Sequence, residues 1–148
     1  MSLKGEPLTI LLVEDDEGHA EITRRNLKAA RVANRLLHVG DGQAALDYLQ
    51  GQGQYADRAV YPRPDLVLLD LRLPKVDGLE VLRQVKEDPD LAPIPVVVLT
   101  TSAAETDVAR AYAHHANSYL VKPVDFGSFT QLMEAFGYYW LAWNQYPG

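Results

Sequence analysis

Pro64-Asp65-Leu66-Val67-Leu68-Leu69-Asp70-Leu71-Arg72-Leu73-Pro74 is the stretch on which the fold turns. Four apolar residues run straight into Asp70, and Pro74 stops regular structure soon after. A strand that is apolar on both faces belongs in the middle of a parallel sheet covered on both sides. Asp70 then stands at the carboxyl end of that strand, the edge where open α/β sheets bind ligands. Taken alone, an acid after an apolar run is more often a helix cap. The rest of the chain has to decide its role.

Toward the N-terminus, residues 8–13 form a first apolar strand, followed at once by Glu14-Asp15-Asp16-Glu17. A helix pattern then runs to about Arg31, with Ala20, Ile22, Thr23, Leu27 and Ala30 on its inner face. Acids at its start suit the positive end of the helix dipole. Residues 34–39 read as a shorter strand, and Asp41 as the N-cap of a helix that carries Ala44, Ala45, Leu46 and Leu49 and ends at Gly51. Residues 51–64 are loop-like and longer than the usual ~2–6 residues of such a connection. They are expected to be a surface insertion.

Toward the C-terminus, residues 74–78 have turn chemistry, and Leu79, Val81, Leu82 and Val85 give the inner face of a helix stopped by Asp88-Pro89. Residues 95–101 are an apolar strand ending in hydroxyls, and Ser102-Ala-Ala-Glu105 matches a capping box for a helix to about His115. A short fifth strand, 118–121, leads to Lys122-Pro123, and Asp125 caps a last helix to about Trp143. Strict β-α alternation implies an α/β fold: a parallel sheet with helices on both faces and right-handed crossovers. One domain is expected over residues 1–148, with its core at about 8–137 and no output domain.

Composition narrows the function. The 148 residues carry a formal net charge of −6, which argues against a nucleic-acid surface. The absence of cysteine excludes thiol catalysis and cysteine metal sites. No apolar run approaches the roughly 18–20 residues of a membrane span. Residues 1–7 lack the apolar core of a signal peptide, so a cytoplasmic protein without membrane contact is expected.

In a doubly wound sheet of this kind the first and third strands are central neighbours at the switch point. Glu14, Asp15, Asp70, Thr100 and Lys122 then converge at one edge. Clustered carboxylates raise one another's pKa unless a cation joins them. Oxygen donors without His or Cys suit a hard divalent ion, best Mg²⁺. A carboxylate can be the nucleophile in phosphoryl transfer, giving an acyl phosphate. Positioning and charge neutralisation then do most of the catalysis. Lys122 would neutralise phosphoryl oxygens, and Thr100 would donate to one of them.

Leu11-Leu-Val-Glu-Asp15, Leu68-Leu-Asp70-Leu-Arg-Leu-Pro74 with Asp77-Gly78, Val98-Leu-Thr100-Thr-Ser102 and Tyr119-Leu-Val-Lys122-Pro123 resemble response-regulator receiver domains. The resemblance implies the flavodoxin-like strand order 2-1-3-4-5 and an Asp phosphorylated by a partner histidine kinase. By position, Asp70 matches the phosphoacceptor and Asp15 the acid that ligates Mg²⁺ directly. Glu14 matches the acid that reaches the metal through water, and the Arg72 backbone carbonyl the third protein ligand. Lys122 matches the phosphate-pairing lysine, Pro123 the residue after it, typically cis, and Thr100 and Tyr119 the switch pair. The family catalyses only its own phosphorylation and dephosphorylation. Arg72 and Thr101 stand at positions the family varies, and both bear on access to Asp70.

Ala45-Leu-Asp-Tyr-Leu49, Lys86-Glu-Asp-Pro-Asp-Leu91 and His115-Ala-Asn-Ser-Tyr119 are similar to single-domain receivers of bacterial and cyanobacterial phytochrome kinases. Two other functions compete. An Asp-nucleophile phosphatase needs a second acid two residues after the nucleophile, where Arg72 stands. A binding-only pseudo-receiver is at odds with the intact acid, Thr and Lys set.

All three Phe, both Trp and three of the eight Tyr lie between Phe126 and Tyr146. Phe129, Met133, Phe136, Trp140 and Trp143 form a heptad-like stripe. Its start suits the core. Phe136, Trp140 and Trp143, with Tyr138 and Tyr139 beside them, are expected to form a homodimer interface.

Overall fold

The apolar runs pair into one five-stranded parallel sheet in the computed structural model, which describes residues 8–29, 34–123 and 125–136. The strands are β1 (Leu8–Val13), β2 (Asn34–Val39), β3 (Leu66–Leu69), β4 (Val96–Thr100) and β5 (Ser118–Val121), in the expected order β2-β1-β3-β4-β5. The helices are α1 (Glu17–Lys28), α2 (Gly42–Gln50), α3 (Gly78–Glu87), α4 (Glu105–Ala113) and α5 (Phe126–Phe136).

Period-two alternation divides the core into two layers. Leu8, Ile10 and Leu12 of β1, Leu66 and Leu68 of β3, and Val97 and Leu99 of β4 face α1 and α5, meeting Ala20, Leu27, Phe129 and Met133. Leu11, Val13, Val67, Leu69, Val96 and Val98 face the other way, onto Leu46, Leu82, Val85 and Ala111 from α2, α3 and α4. Every residue of β1, β3 and β4 is buried, which is why those stretches are apolar but for Thr9 and Thr100.

Register sets the site. Leu12 pairs with Leu68 and Val13 with Leu69, so Glu14 and Asp70 leave the sheet level with each other. The Asp70 N–H donates to Val13 O at 3.0 Å and the Glu14 N–H to Val39 O at 3.0 Å, which carries the ladder up to both acids. Gly78 opens α3 directly against the exit of β3. A Cβ there would lie 2.3 Å from Asp70 O and 2.5 Å from Leu71 Cα, a space that only glycine fits.

The insertion after α2 is anchored rather than loose. Arg58 donates through Nη1 to Tyr48 O at 2.7 Å and Tyr61 O at 3.1 Å, and through Nη2 to Leu49 O at 2.8 Å. Leu49 O is one of the carbonyls that the end of α2 leaves without a backbone donor, while Tyr48 O also accepts the Gly51 N–H at 3.1 Å. Tyr48 is buried, donates to Pro62 O at 2.8 Å, and packs against the Tyr55 and Tyr61 rings.

Three expectations need correction or fall outside. Ser102 does not cap α4: the N-cap is Ala104, with no side-chain cap bond, because the Ser102 hydroxyl is taken by Asp107 at 2.6 Å. Phe136 is 6 % exposed and joins the layer under α5, since its spacing from Phe129 and Met133 keeps it on their inward stripe; it is not part of an exposed patch. Trp140, Trp143, Tyr138, Tyr139, Ala30 and the helix ends at Arg31 and Trp143 lie outside the described residues.

Candidate functional site

Four strand ends assemble the site. Glu14 and Asp15 follow β1, Asp70 follows β3, Thr100 closes β4 and Lys122 follows β5. Glu14, Asp70, Thr100 and Lys122 are buried, and Asp15 is exposed. At the centre, Lys122 Nζ donates to Asp70 Oδ2 at 2.9 Å, to Glu14 Oε1, and to His19 Nδ1 at 3.1 Å. The other Asp70 oxygen, Oδ1, accepts the Arg72 N–H at 3.1 Å.

Two buried acids share one ammonium, and their protonation separates accordingly. Burial pushes Glu14 up to about 7 against the hydrogen bond and charge of Lys122, and the Asp70 charge adds to the rise. Burial also opposes ionisation of Asp70. The charge and hydrogen bond of Lys122 and the Arg72 N–H outweigh it there, so Asp70 is held below its ordinary value. An ionised Asp70 is what a nucleophile requires.

Ligand oxygens of Glu14, Asp15 and Asp70 all lie within 4.8 Å of one another. Ionised, the three acids exceed the single Lys122 charge by two. An oxygen-only set with that excess fits a hard divalent cation.

A second network borders Asp70. Arg72 Nη2 pairs with Asp107 Oδ2 at 2.6 Å, and Ser102 Oγ donates to the same oxygen at 2.6 Å. Tyr119 donates its phenolic hydrogen to Ser102 O at 2.7 Å. The Thr100 hydroxyl accepts the Ser102 N–H at 3.4 Å, so Thr100 and Tyr119 both meet the loop after β4 rather than Asp70 itself. Thr101 is exposed beside them.

The expectation of a cis bond before Pro123 is overturned: no cis peptide occurs among the described residues. The trans bond already lets the Lys122 N–H donate to Thr100 O at 2.7 Å while its ammonium reaches both acids. Trans is also the favoured X–Pro isomer.

Comparison with known proteins bears on this arrangement. Residues 10–134 match the family model described as the response regulator receiver domain. The chain belongs to the response regulator receiver family. This receiver is 47% identical over 146 residues to the probable methanogenesis regulatory protein FilR2 of Methanothrix harundinacea, covering 97% of this chain and 90% of that one. It is 44% identical over 135 residues to response regulator Rcp1 of Synechocystis, covering 91% and 90%. The crystal structure of the Mn²⁺-bound form of Rcp1 superposes with a TM-score of 0.91 at 42% identity, over 96% of this chain and 100% of that one. The phosphorylated cyanobacterial phytochrome response regulator RcpA gives 0.90 at 39% identity, over 96% and 99%.

Sequence reasoning missed His19 and Asp107. Asp107 had a signal, an acid facing inward on an amphipathic helix, but Ser102 had been assigned elsewhere. His19 had none, because its partner lies 103 positions away.

Proposed function

We propose that this receiver accepts a phosphoryl group on Asp70 from a histidine kinase of phytochrome type. The observation that carries the reading is the buried Asp70 carboxylate, ionised beside Lys122 at the end of β3. An Asp70 oxygen attacks phosphorus, the P–N bond to the kinase histidine breaks, and the freed imidazole nitrogen takes up a proton. The product is an acyl phosphate. Lys122 holds one side of the acceptor and moves its hydrogen bond to a phosphoryl oxygen. Asp15, Asp70, the Arg72 carbonyl and, through water, Glu14 would hold a Mg²⁺ ion, which would supply charge neutralisation. Thr100 and Tyr119 read out the change through the loop after β4.

The reading extends to a single receiver unit in the cytoplasm that acts on no substrate but itself and binds no nucleic acid. It pairs as a homodimer through Trp140 and Trp143. Likeness to Rcp1 and RcpA supports the phytochrome pathway. Likeness to FilR2 favours a second reading, a sensor kinase with a different input.

Phosphotransfer from both kinase types, with Asp70→Asn as control, tests these points. Label retained in Asp70→Asn refutes the acceptor. Transfer from the other kinase but not from a phytochrome kinase refutes the pathway. A dimer mass unchanged in Trp140→Ala plus Trp143→Ala refutes the interface.

A further inference from the structure

We propose that His19 is a positioning residue for phosphoryl acceptance, its Nδ1 holding the Lys122 ammonium at the rim of the acceptor. The proposal rests on the reading of Asp70 as the acceptor.

An ammonium has three hydrogens and no acceptor. At Lys122 two of them go to the acids and the third goes to His19 Nδ1 at 3.1 Å. Since Lys122 can only donate, Nδ1 carries the lone pair and the ring proton sits on Nε2. Backbone and ring are each held. The His19 backbone N–H donates to Asp16 Oδ1 at 3.0 Å, which caps α1, and the ring lies against Phe129 of α5 with centroids 5.3 Å apart. Asp16 is the other charged group facing it, with Oδ2 3.9 Å from Nδ1.

A lysine chain has four rotors and loses considerable entropy when held in one place. With acids on one side alone, its ammonium settles between them. When Asp70 turns from carboxylate to acyl phosphate, one of those two acceptors changes, and Glu14 competes for the charge. A third acceptor, contributed by α1, keeps the ammonium where the phosphoryl oxygens arrive. A third carboxylate could also hold it, but would deepen the negative excess that an incoming phosphodonor meets. A neutral ring nitrogen holds it without added charge.

The test separates this role from simple packing on Phe129. His19→Leu keeps an apolar body and removes the acceptor. His19→Asn places an amide oxygen two bonds from Cβ, where Nδ1 stood, and removes the ring. Labelling of Asp70 by acetyl phosphate with Mg²⁺ is measured for both. His19→Leu should slow it by about tenfold, the scale of one lost hydrogen bond to a charged group, and His19→Asn should stay within about threefold of the parent. Nitrogen NMR of the parent ring should place the proton on Nε2. Leu at the parent rate, Asn as slow as Leu, or a proton on Nδ1 at neutral pH each overturns the proposal. If the parent protein itself takes no label, the acceptor reading fails, while the tautomer measurement still reports on the His19 contact.

Discussion

Replacing Glu14 with Gln should stabilise the metal-free protein, and more so as pH rises. Glu14 is 2 % exposed and keeps its proton up to about pH 7 in the folded chain, whereas an ordinary glutamate releases it near 4.5. Between those values the folded state binds more protons than the unfolded one, so stability falls as pH increases. The contribution is fully present below 4.5 and is lost as pH passes 7. A displacement from 4.5 to about 7 corresponds to about 3 kcal/mol across the window. Gln keeps an oxygen for Lys122 without the charge, and leaves Asp70 and Lys122 as a balanced pair. The advantage of Glu14→Gln over the parent, from urea unfolding, should therefore grow by up to about 3 kcal/mol from below the window to above it. Taking the difference cancels the groups that do not interact with Glu14; Asp70, which does, is held below its ordinary value, so the stability it adds is lost in acid, below the window. A divalent cation should restore the parent above the window and do little for the variant, since the ionised carboxylate is what the cation stabilises. A difference that does not change with pH would refute the burial argument.

Arg72 and Asp107 should show a coupling of about 0.5–1 kcal/mol in a double-mutant cycle, because the guanidinium is 64 % exposed while the carboxylate is mostly buried. Zero coupling by urea unfolding removes the bridge from β3 to α4. Gly78→Ala puts a Cβ 2.3 Å from Asp70 O and should cost at least about 2 kcal/mol and slow Asp70 labelling, since the acceptor backbone must move. Parental stability in that variant contradicts the close approach. Arg58→Ala should lower stability by about 2 kcal/mol through its lost carbonyl contacts, with Lys recovering only part because it lacks the planar fork. A full rescue by Lys in thermal unfolding shows that charge alone suffices.

The sheet was legible because β1, β3 and β4 are buried on both faces, and such runs in strict alternation with helices fit a covered parallel sheet. Their order and the convergence of Glu14, Asp70, Thr100 and Lys122 follow from strict alternation once the switch point is placed. What the sequence hid depends on long-range contact. His19 looks like any polar residue on the first turn of α1 until Lys122 is brought against it. Asp107 was concealed by Ser102, whose spacing to Glu105 fits a capping box that loses to the bond with Asp107. Phe136 shared a stripe with the tryptophans, and periodicity does not say where the sheet beneath a helix ends.

The side-chain networks of the site meet at Asp70, and their backbones meet again at Thr100. Its Oδ2 accepts from Lys122, which is tied to Glu14 and His19; its Oδ1 accepts the Arg72 N–H, and the Arg72 side chain is tied through Asp107 and Ser102 to Tyr119. The proposed phosphorylation of Asp70 would use one of these oxygens. Attack through Oδ2 displaces the ammonium bond and leaves the Arg72 contact in place, so a signal then depends on Lys122 and Thr100 following the phosphoryl group. Attack through Oδ1 weakens the Arg72 N–H bond at once and disturbs the network that holds Ser102 and Tyr119. Either route changes the hydrogen bonding of the acceptor on a side that leads to a different helix: α1 through His19, or α4 through Asp107. On the proposed reading, one acyl phosphate at Asp70 would thereby act on both faces of the sheet.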